Sequence, residues 1–161
     1  MEKLNKPAFD PNDVAPRTGS IYPQAFANAV SGRSKRALTA ALGLSQFGVN
    51  IVDLAPGASS ALRHYHSHED EFIYVLQGEV VRLSEGQEQP LGAGMCAGFP
   101  AGVADGHRIT NRSLETARYL EVGTRDPRDA ACYPDDDLHV EPERYEKPVF
   151  TRKDGTPYES K

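Results

Sequence analysis

Residues 64–71 bring together three imidazoles and a carboxylate, His64, His66, His68 and Glu71, in the stretch PGASSALRHYHSHEDEFIYVLQGEV. Imidazole nitrogen and carboxylate oxygen form the donor set of a borderline divalent transition metal: iron, nickel, manganese, copper or zinc. The spacing sharpens this. Residues i and i+2 of a strand share a face, so His64 and His66 would project side by side, as neighbouring ligands must. A turn through residues 67–70 would return the chain as a second strand that Glu71 opens, with Ile73 and Val75 on the same face. Ionisable groups gathered on an interior face are costly unless paired or coordinated. His68 falls where the chain should turn and reads as a loop histidine, although a triad of His66, His68 and Glu71 is chemically possible. Glu69 and Asp70 read as a solvated turn rather than an acid–base pair, and His139 carries no signal.

Short strands are needed to hold such a cluster. Val49 and Ile51 alternate with Asn50 and Val52, and Pro56 and Gly57 end that strand in a turn. Strands are expected at 61–66 and 71–76, with Gln77 and Gly78 making a tight connection into 79–84. After a turn at Glu85 and Gly86 come strands near 88–91, 95–99, 107–110 and 116–123, with 100–106 as a loop. Many short strands with Gly and Pro punctuation predict an all-β sandwich or barrel. Residues 1–32, with Pro7, Pro11, Pro16 and Pro23, read as an arm carrying a short helical turn near Gln24–Val30. Residues 34–44 fit either a helical turn or an edge strand. Beyond Arg125 the chain is rich in Pro and Asp, which predicts an extended tail packed outside and anchored by Tyr133, Val149 and Phe150. Residues 135–137 read as a solvated turn.

A further donor, His107, lies in GMCAGFPAGVADGHRITN, where Gly94, Pro100 and Gly102 shape a turn onto a strand that Asn111 ends. Together the two stretches resemble the cupin superfamily. Its motifs read G-x5-H-x-H-x(3,4)-E-x6-G and G-x5-P-x-G-x2-H-x3-N. His64, His66, Glu71 and Gly78 match the first from its opening histidine, while six residues rather than five separate Gly57 from His64. Gly94, Pro100, Gly102, His107 and Asn111 match the second, with four residues rather than two between Gly102 and His107. The resemblance spans roughly residues 47–123 and looks most like small single-domain bacterial cupins of the RmlC-like type. It implies a double-stranded β-helix, or jelly roll, over residues 33–126, with extended arms at 1–32 and 127–161. It also implies one divalent transition metal held inside by His64, His66, Glu71 and His107.

Four protein ligands leave a six-coordinate ion two positions for water, substrate or dioxygen, but fill a tetrahedral zinc. The expected function is a metal-dependent enzyme, of oxygenase or isomerase type, acting on a small oxygen-rich molecule. The alternative is a non-catalytic ligand-binding or regulatory cupin with a structural metal. Met95, Cys96 and Phe99 suggest apolar walls; Tyr65, Phe72, Tyr74 and Phe99 read as core or interface aromatics. Alternation turns Arg63 and Arg108 away from the ligands. A chain of 161 residues and net charge −5, with scattered Lys and Arg, fits one domain and argues against nucleic acid. No apolar run approaches the roughly 20 residues that span a bilayer, and the charged start MEKLNKPAFDPNDVAP is unlike a signal peptide. Cys96 and Cys132 are expected as free thiols in a reducing cytoplasm. Jelly-roll edge strands need covering, so a homodimer is expected, with the proline-rich arms available for that task.

Overall fold

The computed structural model describes residues 8–159 apart from Glu146. Its strands, in order, are β1 (Arg17–Thr18), β2 (Arg33–Ala37), β3 (Phe47–Leu54), β4 (Tyr65–His66), β5 (Glu71–Gln77), β6 (Glu79–Ser84) and β7 (Gln87–Gly92). There follow β8 (Cys96–Phe99), β9 (Arg108–Thr110), β10 (Ala117–Thr124), β11 (Ala131–Tyr133), β12 (Leu138–Val140) and β13 (Phe150–Thr151). They form a six-stranded sheet, β1-β2-β3-β10-β5-β8, a three-stranded sheet, β7-β6-β9, and a four-stranded sheet, β13-β12-β11-β4. The architecture is an all-β jelly roll.

Alternation dictates the layers. Along β3, Asn50, Val52 and Leu54 are buried while Val49 and Ile51 face outward. Ile73 and Val75 of β5 and Ala117 and Tyr119 of β10 share that inner face. They pack against Val80, Leu91 and Ile109 of the three-stranded sheet, so one apolar layer lies between the two sheets. Each such aliphatic side chain contributes roughly 1.5–3 kcal/mol when fully buried. Gly78 closes the β5–β6 connection at φ +74°, and a Cβ there would lie 3.2 Å from the Ala117 Cα, so the turn requires glycine. Asn111 ends β9 by donating its amide to Leu54 O (2.8 Å) and Glu115 O (2.7 Å), satisfying carbonyls that the sheet leaves free.

The ambiguous segment after Gly32 is both things in turn: strand β2, then a single helical turn, α1 (Leu38–Ala41). The expected helical turn at Gln24–Val30 is a 3-10 helix. The C-terminal segment is more integral than an outside tail. Its strands β11–β13 build the four-stranded sheet onto β4, and Tyr133, Leu138, Val140 and Phe150 make a second core with Tyr22 and Val30 of the N-terminal arm. Val149 is 45% exposed and anchors nothing. Sequence reasoning missed this because each strand is only two or three residues long, too short for alternation to show.

Candidate metal centre

The first donor stretch is held from three sides. His64 and His107 exchange backbone hydrogen bonds (3.0 and 2.8 Å) in an isolated bridge, fixing the two distant segments side by side. The His66 carbonyl accepts from Gly102 N (2.8 Å), which docks the loop before β9 onto β4. β4 pairs with β11 at His66↔Ala131. Regular strand therefore covers only Tyr65–His66 of the expected 61–66, and single bridges at Ser59 and His64 continue the pairing.

All four imidazole and carboxylate groups of the sequence reading meet. The Glu71 Oε2 atom lies 3.7 Å from His64 Nε2, 3.5 Å from His66 Nε2 and 2.9 Å from His107 Nε2. The His64 and His107 ring centroids are 4.8 Å apart. Donors sharing one ion at bonds of about 2.0–2.2 Å are separated by about 3–4 Å; His64, His66 and Glu71, with donor atoms within 4.8 Å of one another, fit a single small cation, and His107 reaches that group through Glu71. The protons also fit. His64 Nδ1 lies 2.8 Å from Leu62 O and His66 Nδ1 2.7 Å from Asp129 Oδ2, so each ring donates from Nδ1 and leaves Nε2, facing inward, as the nitrogen available to a metal. His107 Nδ1 is buried without a partner, and Phe99 stacks on its ring at 3.5 Å between centroids and 7° between planes. His68 stays out: it is exposed and bonds Ser67 Oγ, so the rival triad does not assemble.

The side chains of His66 and His107 are 6% and 7% exposed, against 12% for His64 and 20% for Glu71, so solvent reaches the centre on the Glu71 side. Met95 and Cys96 do not wall it. Both are exposed: Cys96 pairs with the outward-facing Tyr74, Met95 lies in the turn before that strand, and only Phe99 reaches the cluster. Tyr119 is fully buried among the core residues with its hydroxyl unpartnered, close enough to Glu71 to feel its charge. Arg63 binds Asp135 in a bidentate pair (both 2.7 Å) away from the ligands.

Burial and charge pull the two neighbouring histidines in opposite directions. Burial drives His64 down to about 3 despite the raising effect of Glu71. For His66 burial also lowers, but the Asp129 hydrogen bond and the Glu71 charge overcome it and the pKa is raised. Burial would raise Glu71, yet the His107 hydrogen bond and the three imidazoles hold it well below its usual range. A stability prediction follows for metal-free protein. Between pH 6.5 and about 3 the unfolded His64 binds a proton that the folded one does not, so acid destabilises by up to about 1.4 kcal/mol per pH unit. His66, raised, loses its contribution only as pH climbs through its folded pKa, so it does not offset this window. Urea midpoints should fall from pH 6.5 to 5 and flatten in His64→Gln; a flat wild-type profile contradicts the assignment.

Behind His66 lies a group that sequence reasoning misread. Glu69, expected in a solvated turn, is 3% exposed, and Asp129 is 0% exposed. Asp129 Oδ2 accepts from His66 and from Arg144 Nε (2.8 Å), while its Oδ1 accepts from the His68 amide (2.9 Å). Arg144 Nη2 and the Tyr145 hydroxyl both close on Glu69, whose Oε1 also accepts from Asp126 N (2.8 Å). Burial would push Asp129 up, but His66, the His68 amide and Arg144 hold it below the usual carboxylate range. No local pattern marks these residues, although a metal-binding histidine generally needs an acceptor for its second nitrogen.

Comparison with known proteins gives a consistent picture. A family model described as a cupin domain matches residues 50–123. Among solved structures the chain is similar to a sugar phosphate isomerase from a cupin superfamily of Silicibacter pomeroyi: 46% identity, 94% of this chain, 96% of that chain, TM-score 0.89. It is also similar to a putative sugar phosphate isomerase from Acidithiobacillus ferrooxidans, at 30% identity over 74% of this chain and 76% of that chain, TM-score 0.68. A polyketide cyclase from Streptomyces resistomycificus shares the fold at 21% identity over 78% and 80% of the two chains, TM-score 0.58. No curated protein matches the chain.

Proposed function

The chain belongs to the cupin superfamily, and from that footing we propose that it is a metal-dependent isomerase of phosphorylated sugars. The observation that carries the substrate class is the 46% identity, over nearly the whole of both chains, with a protein described as a sugar phosphate isomerase. One divalent transition metal (iron, nickel, manganese, copper or zinc) would be held by His64 Nε2, His66 Nε2, His107 Nε2 and Glu71, the donors that converge within 2.9–3.7 Å of one carboxylate oxygen. When bound, such an ion polarises a carbonyl or hydroxyl oxygen as a Lewis acid. The chain's own residues supply the setting. Phe99, stacked on His107, covers one side of the centre against water. Tyr119, which burial pushes well above its ordinary pKa, keeps its proton in the core beside the centre, close enough to Glu71 to feel its charge.

The test is to load the protein with each metal and incubate it in D2O with a panel of aldose and ketose phosphates, followed by proton NMR. Interconversion with solvent deuterium entering the carbon next to the carbonyl, lost on chelation, is the expected result. Chelator-sensitive binding without turnover would favour the second reading, a non-catalytic ligand-binding cupin.

The outer face of the six-stranded sheet supports a homodimer. Ile51, Leu120 and Tyr74 align across it in one row, and Val49, Val122 and Phe72 in the next. Phe72 and Tyr74 are each 40% exposed, and Leu76 extends the patch. At one end Arg36 (2.9 Å) and Arg118 (2.6 Å) both pair with Asp53, which leaves one net positive charge at the margin of the apolar rows. A face of this breadth suits a two-fold contact with a second copy, for which stable interfaces bury about 800 Å² per partner. Sedimentation at micromolar concentration should give a dimer, and Tyr74→Glu a folded monomer. A wild-type monomer would rule the contact out.

Among the described residues no helix is long and apolar enough to cross a membrane.

A further inference from the structure

Three groups able to bind a cation gather a second time on the far side of His66: His66 itself, Glu69 and Asp129, with donor atoms within 4.8 Å of one another. This cluster already holds a cation of its own. The Arg144 guanidinium places Nε on Asp129 Oδ2 (2.8 Å), closes Nη2 on Glu69, and brings Nη2 to 3.5 Å from His66 Nδ1. His66 Nδ1 is committed as a donor to Asp129 (2.7 Å), so its lone pair points to the first cluster and not to this one. The second cluster is thus an organic ion-pair network wired to the back of a candidate ligand.

Its members come from two parts of the chain. His66 ends β4 and Glu69 lies in the turn from β4 to β5, whereas Asp129, Arg144 and Tyr145 belong to the C-terminal segment. The hydrogen bonds form a closed circuit across that gap. Asp126 N donates to Glu69 Oε1 (2.8 Å), His68 N donates to Asp129 Oδ1 (2.9 Å), and the Ser67 hydroxyl accepts from Ala130 N (2.8 Å). Tyr145 seals the outside: its hydroxyl bonds Glu69, and Arg125 lies over its ring at 4.2 Å. An imidazole whose Nδ1 proton is fixed by a carboxylate is a better-oriented and more basic ligand through Nε2. Here the carboxylate is itself fixed by an arginine from the end of the chain.

We propose that the C-terminal segment is a clasp that sets the metal affinity of the centre, with Arg144 as the positioning residue that acts on His66 through Asp129. The proposal rests on the metal reading above. Coupling of this kind is reciprocal, so filling the centre must tighten the clasp as much as the clasp tightens the centre. Arg144 touches no candidate ligand atom that faces the metal; its effect runs through the orientation of one ring, held by the hydrogen bond from His66 Nδ1 to Asp129.

The experiment uses the full chain and Co2+ as the probe. Titration of metal-free wild type, followed by the visible cobalt spectrum, gives the reference affinity. Arg144→Met should weaken cobalt binding by about 10–100-fold, the range seen when such supporting residues are removed. Arg144→Lys, which keeps the charge but loses the planar fork, should fall between the two. Tyr145→Phe, which removes one hydroxyl and little else, guards against misfolding of the arginine variants and should weaken binding less, in the same direction. Amide exchange supplies the reciprocal readout: cobalt should slow exchange across residues 126–133 in wild type and not in Arg144→Met. A merely structural arginine would change the exchange of the metal-free protein and leave the cobalt-induced difference intact. Equal affinities for wild type and Arg144→Met overturn the clasp and spare the metal centre. Failure of the wild type to bind cobalt at all overturns the metal reading, and the coupling with it.

Discussion

Changing His64 and His66 together to Ala should take the protein from about one divalent ion per chain to none, in material purified without chelator or affinity tag and read by elemental analysis. These two rings supply half of the proposed donor set, and both face Glu71 Oε2 with Nε2, at 3.7 and 3.5 Å. Structural zinc in zinc-finger peptides is bound by roughly 10–16 kcal/mol, which sets the scale for a four-ligand site although thiolates are among its donors. Removing half of the donors therefore removes about 5 kcal/mol or more, and at 1.4 kcal/mol per decade that weakens affinity by at least about three orders of magnitude. The barrel should survive, because its main core lies among β3, β5, β6, β7, β9 and β10 and includes neither ring. Full occupancy in a folded double variant would refute the ligand assignment. His68→Ala, by contrast, should leave the metal content unchanged, since that side chain is exposed and outside the cluster.

Asp129→Ala should be the most destabilising single change among the charged residues. The carboxylate is 0% exposed and serves His66, Arg144, the His68 amide and the Ser67 hydroxyl at once. Replacing it strands a buried amide and leaves the Arg144 guanidinium with Glu69 alone. Breaking a buried ion pair from one side costs about 3–5 kcal/mol, which for a chain of this size corresponds to a Tm lower by roughly 6–20 °C. Urea denaturation of the metal-free protein checks this without any contribution from bound metal. A change below about 1 kcal/mol would mean that the network is no stronger than an exposed surface pair. At the surface, Arg112 and Glu88 form a bidentate pair with both side chains 51% exposed. Arg112→Ala should leave the urea midpoint essentially unchanged in the same assay, which makes it an internal control.

The jelly roll and the four convergent donors are legible in the sequence for different reasons. Strands such as Phe47–Leu54 and Glu71–Gln77 alternate long enough for period two to stand out. His64, His66, Glu71 and His107 sit in frames of glycine, proline and asparagine whose turn chemistry is local, and Gly78 and Asn111 play the roles their residue types suggest. Local chemistry is what a sequence displays. The network behind His66 has no such frame, because Asp129 and Arg144 lie 63 and 78 residues from the ring they support. Glu69, flanked by His68 and Asp70, has the texture of a solvated turn, and only the return of the C-terminal segment over it makes the burial affordable. Phe72 and Tyr74, read as core or interface aromatics, face outward on a sheet whose other face is filled by the three-stranded sheet.

The most direct measurement is an anomalous difference map, collected at the absorption edge of the metal found by elemental analysis, on crystals grown without chelator. The account requires one peak per chain, bonded at about 2.0–2.2 Å to Nε2 of His64, His66 and His107 and to the Glu71 carboxylate. A peak between Glu69 and Asp129, or His107 turned away from a peak held by the other three, would contradict it.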